Sequence, residues 1–274
     1  MPPQAASAVT QPDSAPQESQ PPVLATLRDR VATLTLNHPA QRNALSTRML
    51  ESLRAELRRT AEDPAVKAVI LAANGPVFSS GHDLKEFVGA DPAAVTRLLR
   101  LCTETMEQVR LHPKPVIAQV HALASAAGCQ LAASCDLVVA STAAQFQTPG
   151  VKIGLFCSTP MIPLSRAIAP KKALEMLLTG LPLSAEAAER AGLVNRVVAP
   201  ERLAEETFAL AAHIVSYSGG TLALGKQAFY RQLPLDMARA YEVGQDAMLR
   251  NNELPDAQEG MAAFLQKRTP RWTT

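Results

Sequence analysis

The side chain best suited to moving protons lies in a turn that contains glycine, where the sequence reads Ser80-Gly81-His82-Asp83. Histidine is the side chain whose charge changes most readily near neutral pH. Two interpretations stay open for His82. Either its ring takes part in the chemistry, or the ring packs against a ligand or loop and only the backbone is used. We favour the second interpretation.

The remaining reactive side chains are thiols, which occur at Cys102, Cys129, Cys135 and Cys157. No C-x-x-C pair and no Cys/His cluster has the spacing of metal ligands, so we predict reduced thiols and no metal site. Cys157 would need a nearby cation or base to act as a nucleophile, and the sequence offers none beyond His82. We therefore predict that Cys157 is a buried structural residue, and that Cys129 and Cys135 belong to the core.

The elements that carry these residues follow a repeated strand–helix–strand order. Alternation from Val23 to Leu36 around Arg28-Asp29-Arg30 predicts a strand, a tight turn and a strand. Ser46 is a predicted N-cap for a helix with one apolar face. Repeated units of this kind imply parallel strands joined by right-handed crossovers. Further strands are predicted at 66–72, 115–120 and 136–140, and further helices at 93–111 and from about residue 126.

Beyond Pro160 the strand signal fades and helical segments dominate. We predict a β/α core at 23–200 and a C-terminal helical region at 201–274. We predict a disordered tail at 1–22, because the composition of that stretch cannot bury apolar surface. Periodicity alone leaves open whether the core is a spiral or a flat doubly wound sheet. The predicted C-terminal helices are 173–178, 185–191, 202–217, 221–230, 237–249 and 257–266.

Several segments together resemble the crotonase, or enoyl-CoA hydratase/isomerase, family, and they occur in the family's order. Each motif alone would be weak evidence, but the series covers almost everything after the tail. Segments 148–151 and 154–160 further resemble one subgroup of the family. The matching segments are 41–45 (QRNAL), 78–86 (FSSGHDLKE), 114–118, 126–131 with 135–136, 146–154, and 178–180 with 187 and 191–194.

The resemblance implies an α/β fold, a crotonase-like spiral of stacked ββα units with a C-terminal helical trimerisation region. It implies assembly as a homotrimer or hexamer and a role as a lyase in fatty acid metabolism. The implied ligand is an acyl-CoA thioester. No metal or redox cofactor is implied, since coenzyme A enters as part of the substrate.

By the same resemblance, the backbone N–H groups of His82 and Ala127 form an oxyanion hole for the thioester oxygen. Gly81 permits an unusual turn before His82, and Ala127 begins a helix whose dipole favours an anion. The small residues Ala126 and Gly128 let the backbone approach a ligand. Each such donor contributes roughly 3–4 kcal/mol in known enzymes.

The acidic residues that family hydratases use are missing. The two glutamate positions align with Gln130 and Gly150, and a third acidic position falls near Ser158. An amide cannot act as a base at pH 7, so efficient hydration is in doubt. Three functions stay open: an enoyl-CoA hydratase-like lyase that stabilises an enolate, a non-catalytic acyl-CoA-binding protein, and a malonyl-type CoA decarboxylase, which the segment 80–83 also resembles.

The resemblance also assigns the other residues of the site. Glu86 is predicted to fix the loop, and Asp83 to cap the helix that follows. Lys85 and Arg268 are further candidates for CoA phosphates. Large apolar residues near Phe87, Leu98 and Phe156 permit a pocket. The predicted catalytic residues are His82, Ala127 and Gln130, and the predicted substrate-binding residues are Arg42, Ala44, Ser80, Asp83, Leu84, Ala126, Gly150, Leu155, Cys157 and Lys267.

Composition excludes several other classes of protein. The formal net charge is only +2 over 274 residues, which argues against nucleic acid as the main partner. No apolar run is long enough to span a bilayer, so we predict no membrane partner. The N-terminal stretch has neither a basic segment nor an apolar core, so it resembles neither a secretory signal nor a typical transit peptide. We therefore predict a cytoplasmic protein.

Overall fold

The computed structural model describes residues 21–273, so most of the predicted tail at 1–22 lies outside the described residues. The predicted hairpin follows. Strands β1 (Val23–Arg28) and β2 (Val31–Leu36) pair in antiparallel fashion. Between them, Asp29 and Arg30 have φ values of 47° and 67°. Two central residues with positive φ are typical of a type I′ turn, whose twist matches that of the paired strands.

Six strands form the larger of two sheets. In it β2 pairs in parallel with β3 (Ala68–Ala73), and β3 pairs in parallel with β4 (Val116–Val120). The sheet continues with β6 (Leu137–Ser141) and β9 (Arg196–Val198), each parallel to its neighbour. Every residue of β4 except Gln119 is buried, as expected for a parallel strand covered on both faces.

Three short strands form a second sheet and give the fold its spiral form. β5 (Leu123–Ser125) closely follows β4, and β7 (Gln145–Gln147) closely follows β6. β5 and β7 pair in parallel, while β8 (Leu183–Ser184) pairs with β7 in antiparallel fashion. The chain thus passes from the larger sheet to the smaller one in successive turns. This confirms the predicted spiral of stacked units.

Helices connect the successive strands and cover the sheets. The first begins at Thr47 after the predicted N-cap Ser46, whose Oγ accepts a hydrogen bond from Met49 N at 3.3 Å. The described helices are α1 (Thr47–Glu62), α2 (Pro92–Arg110), α3 (Ala127–Ser134), α4 (Met161–Ala167), α5 (Pro170–Thr179), α6 (Ala185–Ala191), α7 (Leu203–Val215), α8 (Gly219–Gln232), α9 (Met237–Glu253) and α10 (Pro255–Leu265).

The C-terminal helices differ in how they pack. Helix α7 lies against the larger sheet, where Leu203 and Ala211 share a buried cluster with Ile70 and Ile117. By contrast, neither α8 nor α9 contains a buried residue. Within residues 21–273 no single helix is long and apolar enough to cross a bilayer, and only the pair 200–215 and 219–232, bent by 102°, has the length and composition to do so. The large apolar side chains exposed on α8–α10 are Phe229, Met237, Tyr241, Met248, Leu249, Met261, Phe264 and Leu265.

A largely buried ion pair attaches α8 to the larger sheet. Lys226 Nζ lies 2.7 Å from Asp136 Oδ2, and the Tyr230 hydroxyl donates to Asp136 Oδ1 at 2.9 Å. Val116 N donates to the same carboxylate at 2.7 Å. Burial raises the pKa of Asp136, although Lys226 and these donors act in the opposite direction. Because the carboxylate has three donors, the pair is well hydrogen-bonded in spite of its burial.

Candidate functional site

A cavity of about 980 Å³ opens between the 3₁₀ turn Leu84–Glu86, helix α2, the start of α3 and segment 149–160. Gln130 and Lys267 do not line it. The other eleven residues predicted for the site do: Arg42, Ala44, Ser80, His82, Asp83, Leu84, Ala126, Ala127, Gly150, Leu155 and Cys157.

The turn at Gly81 meets the start of α3 at very short range. Gly81 has a φ of +95°, and a Cβ atom there would lie 2.9 Å from Ala126 Cβ and 3.3 Å from Ala127 N. On the other side, Leu45 N donates to Gly81 O at 2.7 Å. Glycine satisfies both the backbone conformation and the close approach. The contact brings the backbone of His82 and that of Ala127 to the same part of the cavity.

The backbone just before α3 is held in an unusual conformation. Ala126 has a φ of 48° and a ψ of −117°, outside the regions that L-residues normally occupy. Its N–H donates to Gln147 O at 2.9 Å, and Ser125 N donates to Ser79 O at 2.9 Å. A conformation of this kind costs about 1–3 kcal/mol and persists only where the surrounding structure enforces it. Here, hydrogen bonds to both neighbouring segments enforce it.

Two residues that line the cavity have backbone N–H groups without an acceptor. Within residues 21–273, neither the N–H of His82 nor that of Ala127 donates a hydrogen bond. Backbone N–H groups away from water are nearly always paired in folded proteins, and Ala127 is fully buried. Unpaired donors at the start of a helix are suited to an anionic or polar oxygen.

The His82 ring lies partly buried beside an aromatic neighbour. Its centroid is 5.4 Å from that of Phe87, with 57° between the ring planes. Burial lowers the pKa of His82 to about 4, although the nearby Glu86 carboxylate raises it. The imidazole is therefore neutral at pH 7. Its Nε2 atom is buried and has no hydrogen-bond partner among the described residues. The ring thus packs against the loop, as expected, and also holds an unused polar atom.

The two acidic residues after His82 fix the loop. Asp83 Oδ1 accepts a hydrogen bond from Lys85 N at 3.0 Å and caps the 3₁₀ turn, as predicted. The Glu86 carboxylate accepts hydrogen bonds from Thr47 N at 3.1 Å and from Thr47 Oγ1 at 2.6 Å. This ties the loop to the start of α1 and confirms the structural role predicted for Glu86.

Gln130 lies one turn into α3. It was predicted to belong to the site, but it does not line the cavity. Its residue is 4% exposed, and its Oε1 atom has no hydrogen-bond partner among residues 21–273. Its backbone N donates to the O atom of Ala126, the N-cap residue, at 3.0 Å, which is the first hydrogen bond of the helix. The side chain therefore keeps an unused acceptor in the interior, which is unfavourable unless a donor is supplied.

At Gly150, which the family resemblance predicts to stand in place of a hydratase glutamate, the structure leaves no room for a side chain. A Cβ atom there would lie 2.5 Å from Leu155 O and 3.0 Å from Cys157 Sγ. Leu155 N donates to Gly150 O at 2.9 Å, which closes the turn over this position. The turn that follows Gly150 therefore fills the space that a carboxylate side chain at this position would need.

Cys129, Cys135 and Cys157 are buried, as the sequence predicted. All four cysteines are free and buried. Burial raises the pKa of Cys102 and of Cys129 to about 12, and it also raises the pKa of Cys157. Cys157 is therefore a protonated thiol at neutral pH, although it lines the cavity. Within residues 21–273, no group of three or more His, Cys, Asp or Glu side chains is placed to hold a metal ion.

The basic residues divide between the cavity and the C-terminus. Arg42 and Lys85 line the cavity. Lys267 is exposed and lies outside it, so one chain does not bring this predicted residue to the site. Arg268 is bound to Glu259 through two hydrogen bonds of 2.6 and 2.8 Å. Lys267 and Arg268 could contribute to a cavity only in a second chain.

The sequence missed part of the lining of the cavity. Val95 and Leu99 on α2 line it, whereas Leu98, which was expected near the pocket, is buried in the core. Lys152 also lines the cavity. The signal for the two α2 residues was their spacing of four on one helix face. It was missed because the neighbouring core face of α2 is more apolar and dominates the pattern.

Comparisons with known proteins agree with the fold. A protein-family model described as enoyl-CoA hydratase/isomerase matches residues 26–274 of the sequence. The mitochondrial enoyl-CoA hydratase domain-containing protein 3 of Rattus norvegicus is 50% identical over 258 residues, which cover 93% of this chain and 86% of the relative. The human protein of the same name is 49% identical over 261 residues, 94% of this chain and 86% of the relative.

Two solved structures are similar throughout. The crystal structure of human enoyl-CoA hydratase domain-containing protein 3 is 48% identical with a TM-score of 0.90, and the match covers 92% of this chain and all of that one. An enoyl-CoA hydratase of Mycobacterium smegmatis is 46% identical with the same TM-score of 0.90, over 93% of this chain and all of that one. These matches confirm the subgroup that segments 148–151 and 154–160 resemble, which is the enoyl-CoA hydratase domain-containing protein 3 group.

The predicted cytoplasmic location is wrong. Three relatives at 49–50% identity carry the word mitochondrial in their names. The prediction used the reduced thiols and the composition of the N-terminal stretch. Reduced thiols report a reducing environment, which more than one compartment supplies, so they do not identify the cytoplasm.

Proposed function

The chain belongs to the enoyl-CoA hydratase/isomerase family, and from that premise we propose that it binds an acyl-CoA thioester in the cavity and stabilises negative charge on the thioester oxygen. The donors are the backbone N–H groups of His82 and Ala127. The enzyme is an enoyl-CoA hydratase-like lyase that works through an enolate. Coenzyme A enters as part of the substrate, and we propose no separate cofactor.

One observation carries this proposal: two cavity residues have unpaired N–H groups at a point of very close backbone approach. Negative charge on the thioester oxygen makes the neighbouring carbons reactive, and each preorganised donor of this kind supplies roughly 3–4 kcal/mol in known enzymes. The strained Ala126 conformation fixes the direction of the following N–H before any ligand binds.

Of the two predicted catalytic side chains, only His82 lines the cavity, so we propose that it acts on the acyl group in place of the missing glutamates. The neutral His82 ring can accept or donate a proton at its unpaired Nε2. The Gln130 amide cannot take the proton, and its side chain lies in the interior outside the cavity lining. Arg42 and Lys85, both at the cavity, are the candidates for the CoA phosphates.

The frequency of the bound thioester carbonyl tests the two donors directly. A ¹³C-labelled acyl-CoA is bound to the protein, and its C=O stretch is compared with that of the free ligand by infrared spectroscopy. We expect a shift to lower frequency in the parent protein and in His82→Ala, because that variant keeps the backbone N–H. A carbonyl band that does not move on binding would refute the donor arrangement.

Turnover separates the possible reactions. Crotonyl-CoA hydration is measured with methylmalonyl-CoA decarboxylation alongside, in the parent protein and in His82→Ala. Hydration that is abolished in His82→Ala would assign the proton transfer to the ring. A shifted carbonyl band with turnover of neither substrate would favour a second candidate, a non-catalytic acyl-CoA-binding protein, which the closed turn over Gly150 supports. Turnover of methylmalonyl-CoA alone would identify a malonyl-type decarboxylase.

We also propose that the chain assembles as a homotrimer or hexamer through its C-terminal helices. Phe264 and Leu265 on α10 are 83% and 80% exposed, and α9 exposes Tyr241 and Met248. Apolar surface of this extent is typical of an interface between protein chains. Sedimentation equilibrium is expected to give a mass three or six times that of one chain, and Phe264→Ser is expected to lower it. A single-chain mass for the parent would contradict the proposal.

A further inference from the structure

A buried serine hydroxyl lies within the turn that carries the His82 N–H. Ser79 is fully buried and does not line the cavity. Its Oγ atom donates to Asn43 O at 2.8 Å and accepts a hydrogen bond from Gly81 N at 3.3 Å. The hydroxyl therefore uses its proton and a lone pair on backbone groups, and it joins the turn at Gly81 to the segment around Asn43.

Asn43 fixes the segment to which Ser79 is bound. It is fully buried and has a φ of 50°, a conformation that asparagine adopts more readily than most residues. Its Nδ2 atom donates to Asn74 O at 2.8 Å and to Val77 O at 3.0 Å, while its Oδ1 atom accepts from His38 N at 2.9 Å. One side chain thus binds three backbone groups, which holds the backbone oxygen of Asn43 in place under the hydroxyl.

The segment after Asn43 determines where the His82 N–H points. Leu45 N donates to Gly81 O at 2.7 Å. The peptide bond between Gly81 and His82 is trans, so its C=O and its N–H point in opposite directions. Because Gly81 O is directed at Leu45, the N–H of His82 points away from Leu45. This agrees with the lack of an acceptor for that N–H within residues 21–273.

Ser79 also contacts the helix that carries the second donor. A Cβ atom on Gly128 would lie 2.6 Å from Ser79 O and 2.9 Å from Ser79 Oγ. Gly128 directly follows Ala127, so this close approach sets the separation between the turn and the start of α3. Just before the helix, Ser125 N donates to Ser79 O at 2.9 Å. Ser79 therefore contacts the backbone next to both donors.

We propose that Ser79, held by Asn43, is a positioning residue that keeps the backbone N–H groups of His82 and Ala127 aimed at the thioester oxygen. Neither Ser79 nor Asn43 lines the cavity, so both act through the backbone. Donors of this kind are effective when their direction is fixed in advance, since nothing must then reorganise as charge develops. The inference rests on the proposed function, because the direction of the donors matters only if an oxygen binds between them.

Infrared spectroscopy of a bound ¹³C-labelled acyl-CoA tests the role of Ser79. Ser79→Ala removes both hydrogen bonds of the hydroxyl, and we expect it to reduce the shift of the C=O stretch that the parent protein produces. For a thioester that the parent turns over, kcat should fall about tenfold or more, and by less than the roughly hundred- to thousandfold cost of deleting such a donor.

Ser141→Ala is the matched control. Ser141 is also fully buried and lies outside the cavity lining. Its Oγ atom donates to His121 O at 2.7 Å and accepts from Ala143 N at 3.2 Å, so it makes the same two kinds of bond as Ser79. Neither bond involves the turn at Gly81 or the start of α3. We expect Ser141→Ala to lower stability to urea much as Ser79→Ala does, and to leave the carbonyl shift and kcat unchanged.

The outcomes separate this inference from the proposal on which it rests. A full carbonyl shift in folded Ser79→Ala would overturn the positioning role and leave the two donors as proposed. An equal loss of shift in Ser141→Ala would also overturn it, since general loosening would then explain both variants. If the parent protein itself shows no shift, the proposed function fails, and the inference fails with it.

A second variant covers the case in which Ser79→Ala does not fold. Ser79→Cys keeps nearly the same shape, but its thiol is only a weak donor and acceptor. It should therefore lose part of the carbonyl shift as well. A full shift in the folded Ser79→Cys protein would contradict the positioning role.

Discussion

Replacement of Gly150 by alanine measures how tightly the following turn is packed. The added Cβ would lie 2.5 Å from Leu155 O and 3.0 Å from Cys157 Sγ, so backbone must move to accept it. Overpacking of this kind costs about 1–3 kcal/mol. Weakening the hydrogen bond from Leu155 N to Gly150 O adds about 1 kcal/mol. We expect Gly150→Ala to lower the free energy of unfolding by about 2–4 kcal/mol, or roughly 4–16 °C in Tm.

Urea unfolding followed by circular dichroism gives this value, with Gly244→Ala as the matched control. Gly244 lies within α9, and nothing would come within 4 Å of a Cβ there. Alanine at that position should stabilise the helix by about 1 kcal/mol. Gly150→Glu should unfold at least as easily as Gly150→Ala and should gain no hydratase activity. The reasoning is refuted if Gly150→Ala is as stable as the parent protein.

Three further substitutions or titrations follow from features of the core and the site. Ala126→Gly should raise the free energy of unfolding by about 1 kcal/mol, because glycine accepts the positive φ without strain; unfolding in urea will show whether it does. Lys226→Met should lower the same quantity by about 3–5 kcal/mol, since it leaves Asp136 buried without its ion-pair partner, and Lys171→Met on the exposed surface serves as control. The His82 ring should titrate near pH 4 in the folded protein, against about 6.5 when unfolded. Its contribution to stability is therefore present above pH 6.5 and is lost as the pH falls towards 4, which NMR titration and unfolding at several pH values will test; a His82 signal that titrates at 6.5 contradicts this.

The longer elements were predictable from the sequence, and the shortest strands were not. The hairpin around Asp29 and the cap at Ser46 follow from local turn chemistry, so their positions were predicted closely. Strands β5, β7 and β8 have two or three residues each and are defined by pairing with distant segments. Such strands carry no periodic signal of their own. The resemblance to a known family, rather than periodicity, indicated the spiral.

The site was predictable where motifs fix the backbone and less so where packing decides. The segments around Gly81 and Ala126 supplied most of the cavity residues in advance. Gln130 was assigned by alignment to a glutamate, but its side chain lies in the interior outside the cavity lining. No sequence pattern could show that the turn after Gly150 fills the space of a missing side chain, because that depends on the path of residues 151–157.

The uneven burial along the chain has a consequence for local opening. Every residue of β4 except Gln119 is buried, whereas α8 and α9 bury no residue to that degree and α8 is attached through Lys226. Segments with few buried contacts open at a lower free energy than the core does. In a single chain, amide hydrogens of α8 and α9 should exchange with solvent long before those of β3 and β4. Helices α8 and α9 would then form a separate cooperative unit, one that detaches and returns while the two sheets and α7 stay folded.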